Sequence, residues 1–117
     1  MATKKAVELL KAGDIDAFNQ WVKERRKKGK GGVDLDDKDL SGLALSGADL
    51  HDAHLNGANL RNSDLRGANL HGARLRQADL RGSDLRDADL SDADLRKAKL
   101  KGADLTNAKL KGARGLN

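Results

Sequence analysis

From Leu35 to Leu110 a leucine stands at every fifth position, sixteen times without a gap. Two residues before it stands Ala in eleven of the sixteen units and Ser in two, Ser63 and Ser83, while Val33, Lys38 and Leu43 fill the first three. A period of five fits neither regular element as a straight run. On an α-helix successive leucines would step round by about 140° net and cover every face. On a flat strand the odd spacing would send alternate leucines to opposite sides. Both conflicts disappear if the chain bends once per unit. Leu and the small residue two before it then always point inward, and the two residues after Leu form an exposed corner. Gly fills the second corner position in eight units, from Gly42 to Gly112, and Asp52, Asn62, Asp87, Asp92 and Asn107 fill equivalent ones. All are turn formers.

The spacing also sets the number of sides. RNSDLRGANL (61–70) matches RGSDLRDADL (81–90) at seven of ten positions, but HGARLRQADL (71–80) at only four. Ser63 and Ser83, His51 and His71, and Arg61 and Arg81 are each twenty residues apart, which is four units and a square cross-section. The predicted inward columns are Leu35/Leu55/Leu75/Leu95, Leu40/Leu60/Leu80/Leu100, Leu45/Leu65/Leu85/Leu105 and Leu50/Leu70/Leu90/Leu110.

Ahead of the repeat the period changes. Residues 3–12 read as a helix with Ala6, Leu9 and Leu10 on one face. Gly13 is a natural stop, and Asp14 can cap a second helix over about 15–27, with Ile15, Phe18 and Val22 as its stripe and Trp21 beside it. Leu9, Leu10, Ile15, Phe18, Trp21 and Val22 are expected to form a hydrophobic lid on the first coil, which would otherwise expose leucines and unpaired backbone. Segment boundaries follow: 1–30 as helical cap and basic linker, 31–114 as the repeat, 115–117 as a tail beginning where Gly115 replaces the expected Leu.

Composition narrows the chemistry. The 117 residues contain no Cys and no Pro, and the only aromatic side chains are Phe18 and Trp21. Disulfides and thiolate chemistry are excluded, and the lack of Pro suits a backbone whose amides are needed for pairing. No stretch reaches the roughly 18 apolar residues of a membrane span, and the amino terminus lacks the apolar core of a secretory signal, so a cytoplasmic protein is expected. The net charge of +5 resides in residues 1–30, since residues 31–117 carry fourteen charges of each sign. Within the repeat the signs separate: 31–50 holds five Asp against Lys38, and 96–117 holds seven basic residues against Asp104.

Outward columns place Asp64, Asp84 and Asp104 on one wall beside Arg66 and Arg86, an array that is charge compensation or an interaction wall. His51, Asp52, His54 and His71 are metal-capable residue types, but they splay from a convex surface without a fourth ligand and read as solvated polar groups. No P-loop, Rossmann fingerprint, GxSxG or HExxH is present. No catalytic, cofactor-binding or metal-ligating residue is assigned, and no cofactor is expected. The basic run Arg25 to Lys30 has no aromatic stacking surface with it, which disfavours nucleic acid as a partner.

Units such as NGANL, RGANL and RQADL resemble the pentapeptide-repeat family, whose motif is written A(D/N)LXX. The resemblance covers residues 31–114. It implies an all-β solenoid, a right-handed quadrilateral β-helix of about four coils behind the N-terminal α-helical cap. It also implies a non-enzymatic protein-interaction scaffold, with another protein as partner and no membrane. Some members imitate DNA and bind DNA gyrase, which is the alternative, as is a nucleic-acid-binding module through the basic ends. Such proteins often pair through their last coils, but this chain's basic far end favours a monomer.

Overall fold

The computed structural model describes residues 2–116, so the outermost residues of the first and last sequence segments, Met1 and Asn117, lie outside the described residues. Helix α1 spans Ala2–Lys11 and helix α2 spans Ile15–Lys27. Between them Gly13 adopts φ +74°, and the Asp14 carboxylate accepts the Ala17 amide at 3.0 Å, satisfying one free donor of the first turn of α2. Ala6, Leu10 and Phe18 are fully buried, while Leu9, Ile15, Trp21 and Val22 pack partly buried beside them.

The helices rest on the first layer of the repeat. Thr3 Oγ1 donates to the Asp34 carbonyl at 3.0 Å. Asn19 donates from Nδ2 to the Gly47 carbonyl at 3.0 Å and accepts the Asp49 amide at 2.8 Å. Leu35, Leu40, Leu45 and Leu50 beneath them are at most 1% exposed.

From Asp34 onward the chain turns every five residues, and residues twenty apart meet in parallel bridges, from Asp34 with His54 through to Asp94 with Arg114. Each bridge is made by one residue. Asn69, for example, donates to the Ala48 carbonyl at 2.9 Å and accepts from Leu50 at 2.8 Å. Corners close with bonds such as Ala68 N–H to the Leu65 carbonyl at 3.0 Å. The second corner residue is left-handed, whether Gly67 (φ 65°), Asn62 (56°) or Gln77 (60°).

The all-β expectation is corrected here. Among the described residues the only regular elements are α1 and α2, with no strand and no sheet. The cause is the length of a side. Two of every five residues are spent on the corner, and only the one before Leu bridges to both neighbouring layers. A strand needs consecutive paired residues, and the next corner arrives first. The functional expectation built on a β-helical solenoid, an interaction scaffold or a rod imitating DNA, loses its premise with it, and so does the nucleic-acid module named beside them.

Leucines Leu55, Leu60, Leu65, Leu70, Leu75, Leu80, Leu85, Leu90 and Leu95 are buried, together with the alanines two residues before them. The two inward serines use carbonyls inside the stack: Ser63 Oγ donates to Leu40 at 2.9 Å and Ser83 Oγ to Leu80 at 2.7 Å. Lys38 lies exposed beside α1, so its ammonium is not buried.

Candidate binding surface

Asp precedes the inward Leu and Arg follows it, so both side chains leave the same side of the stack and meet. Arg66 holds Asp64 with two bonds of 2.9 and 2.8 Å, and Arg86 holds Asp84 with two of 2.8 and 2.6 Å. Asp79 with Arg81 and Asp94 with Arg96 repeat the arrangement on other sides. Each wall arginine also reaches the next layer, Arg66 to Asp84 and Arg86 to Asp104, both at 3.8 Å. The bidentate arginine holds the Asp79 and Asp84 carboxyls down at about 2 and pushes Asp94 lower still. These carboxylates stay ionised at neutral pH and lie on a convex surface, the reverse of what general acid–base work needs.

The histidines have separate partners. His51 Nδ1 lies 2.6 Å from Asp49, which also receives Arg26 at 2.6 Å. His71 Nδ1 is 2.7 Å from Ser91 Oγ. His54 instead comes within 4.8 Å of Asp34 and Asp36, a grouping the sequence reading missed although the twenty-residue spacing that paired His51 with His71 also joins Asp34 to His54. Both carboxylates already accept backbone amides, Asp34 from Asp36 at 3.1 Å and Asp36 from Asn56 at 2.8 Å. A depression of about 150 Å³ lies between the end of α2 and the first layer, lined by Val22, Arg25, Arg26, Lys30, Asp49 and His51 among others.

The last layer is different. Leu100 and Leu105 are only partly buried, and Leu110 is 36% exposed. In lower layers each Leu amide donates to a carbonyl nineteen residues on, as Leu90 does to Lys109 at 2.8 Å. Among the described residues the amides of Leu100, Gly102, Leu105, Asn107, Leu110 and Gly112 have no such acceptor. Lys97, Lys99, Lys101, Lys109 and Lys111 are exposed around this edge and form no ion pair among the described residues. Regularity stops at Gly115 (φ +92°), where a Cβ would come within 2.6 Å of the Leu95 and Arg96 backbone.

The pattern of pentapeptide repeats matches residues 44–82 and 73–112, with eight copies. The chain belongs to the pentapeptide-repeat family. A pentapeptide repeat protein from the thylakoid lumen of Arabidopsis thaliana is 40% identical, with a TM-score of 0.54, over 74% of this chain and 56% of that one. A second, from the cyanobacterium Cyanothece 51142, is 38% identical over 68% of this chain and 58% of that one, with a TM-score of 0.46. This pentapeptide-repeat chain thus spans little more than half the length of either relative. No curated protein matches it. Neither the family's description nor those of these relatives names a catalytic activity. The cytoplasmic expectation is corrected by the lumenal relative: 40% identity extends to a protein of another compartment, and the features read from this sequence do not separate the two. No helix among the described residues is long and apolar enough to cross a membrane.

Proposed function

We propose that this chain meets another protein through the face that Leu100, Leu105, Leu110 and the lysines around them form. One observation carries the reading: the exposed Leu110, the partly buried Leu100 and Leu105 and lysines without an ion pair coincide there and nowhere else among the described residues. Apolar floor with a polar rim is the composition of a protein interface. In this reading residues 1–30 cover the first layer, 31–114 carry the layers, 115–117 are a tail, and the chain is monomeric until it meets its partner. The sequence-predicted wall of Asp64, Arg66, Asp84, Arg86 and Asp104 serves the stack, since Arg66 and Arg86 offset all but one of its three aspartates.

The test is cross-linked affinity capture with three proteins: the parent chain, Lys109→Glu/Lys111→Glu at the edge, and Arg66→Gln/Arg86→Gln on the wall. A partner kept by the wall variant and lost by the edge variant supports the reading. Loss with the wall variant and retention with the edge variant would overturn it.

A further inference from the structure

The last turn of α2 is closed by its own backbone. The Lys28 amide donates to the Glu24 and Arg25 carbonyls, the Gly29 amide to Arg26 at 2.9 Å and the Lys30 amide to Arg25 at 3.0 Å. Carbonyls that cationic side chains often serve at a helix end are therefore already partnered here. Arg26 is held by Asp49 at 2.6 Å, but Arg25 and Lys30 form no ion pair among the described residues. Both line the depression of about 150 Å³ between α2 and the first layer. The Arg25 Cζ lies 5.0 Å from the centre of the Trp21 ring, which steadies the guanidinium beside that depression.

The opposite side of the depression is a place where two layers fail to pair. In the same column Asp52 donates its amide to the His71 carbonyl at 2.8 Å, Gly72 to Ser91 at 2.9 Å and Asp92 to Lys111 at 2.9 Å, each nineteen residues on. Gly32 holds the first place in this column and His51 is its counterpart. The Gly32 amide does not reach the His51 carbonyl, and neither group has another partner among the described residues. Both residues line the depression. The gap lies between two layers that are both present, so it belongs to this corner. A Cβ at Gly32 would overlap the Asp52 carbonyl, so glycine alone lets the backbone lie so close to the next layer.

An amide without an acceptor, a guanidinium and an ammonium around one small depression suit a ligand with several oxygens and more than one negative charge. Two aspartates also line it, but neither competes for these donors. Asp49 already holds Arg26 and His51, at 2.6 Å each, and the Asp52 carboxylate lies over Gly72 in the next layer. The volume is the liquid share of about five waters, room for a tetrahedral oxyanion but not for a whole nucleotide. We infer that this depression binds phosphate, as the free ion or as the end group of a small phosphate ester. The Gly32 amide, Arg25 and Lys30 donate to its oxygens. A carboxylate offers only two oxygens to these three donors and carries less charge. The site is separate from the proposed protein-binding face, which lies on the last layer.

The test is titration of the full chain with inorganic phosphate at fixed ionic strength, chloride making up the balance. Two signals report on it: the fluorescence of Trp21, the chain's one tryptophan, and the amide resonance of Gly32. Both should change saturably with a shared dissociation constant on the order of 1 mM. Lys30→Gln should weaken binding about fivefold or more, while Lys28→Gln, outside the depression, should leave it within about twofold. Tighter binding of glycerol 3-phosphate than of inorganic phosphate assigns the site to esters, and weaker binding assigns it to the free ion. Absence of saturation, an unmoved Gly32 resonance, equal loss in the two lysine variants or equal binding of acetate overturns the inference.

Discussion

Leu90 and Leu110 occupy the same column one layer apart, yet Leu90 is fully buried and Leu110 is 36% exposed. Their removal should therefore differ. Leu90→Ala leaves a cavity under a closed layer and should cost about 2–5 kcal/mol. Leu110→Ala removes a side chain already in part hydrated, with nothing packed above it, and should cost less than about 1.5 kcal/mol. Urea unfolding measures both, and equal costs would mean that the last layer is as closed as the one beneath it. The leucine period is plain in the sequence, but this difference is not. The sixteen units look alike, and exposure depends on what lies beyond a unit in space. The Asp–Arg stripes were legible as neighbouring opposite charges, but not their two-bond geometry, in which Arg66 grips Asp64 and Arg86 grips Asp84 across a single inward Leu.

At the scale of elements, the helix boundaries could be read from Gly13 and Asp14, because capping is local chemistry. Docking could not, because it joins distant residues. Asn19 lies on a polar position of α2, and its value comes from Gly47 and Asp49, some thirty residues on. Asn19→Ala strips an acceptor from the half-buried Asp49 amide and should cost about 1–3 kcal/mol. Hydrogen exchange should then quicken across Phe18–Val22 while Leu80 remains slow. Uniform quickening would show that α2 and the layers open only together. The side of the repeat is the other element whose nature was partly hidden. Its five-residue length was legible, but the all-β class inferred from resemblance ignored how much of that length the corner uses. One bridging residue per side gives a ladder of separate bridges and no strand.

For the whole molecule, helices cover the first layer, arginines hold the wall carboxylates, and Leu110 is exposed on the last described layer. The walls predict the response to acid. The ordinary Asp value of 3.8 is lowered to about 2 at Asp79 and Asp84 by their arginines. A lowered carboxyl pKa in the folded state contributes stability above the unfolded value and loses it as pH falls through the folded one. Urea midpoints should therefore be flat from pH 8 to about 4 and fall between about 4 and 2, modestly because the pairs are exposed. A midpoint that rises in that window would contradict the pairing. The central claim, that the last described layer exposes unpaired amides together with Leu110, is tested most directly by residue-resolved amide exchange on the dilute chain without partner. Amides paired to the next layer, such as Leu60, Leu70, Leu80 and Leu90, should be strongly protected. Leu100, Gly102, Leu105, Asn107, Leu110 and Gly112 should exchange at close to the rate of unpaired amides. Protection of that last set equal to the layers below would contradict the claim.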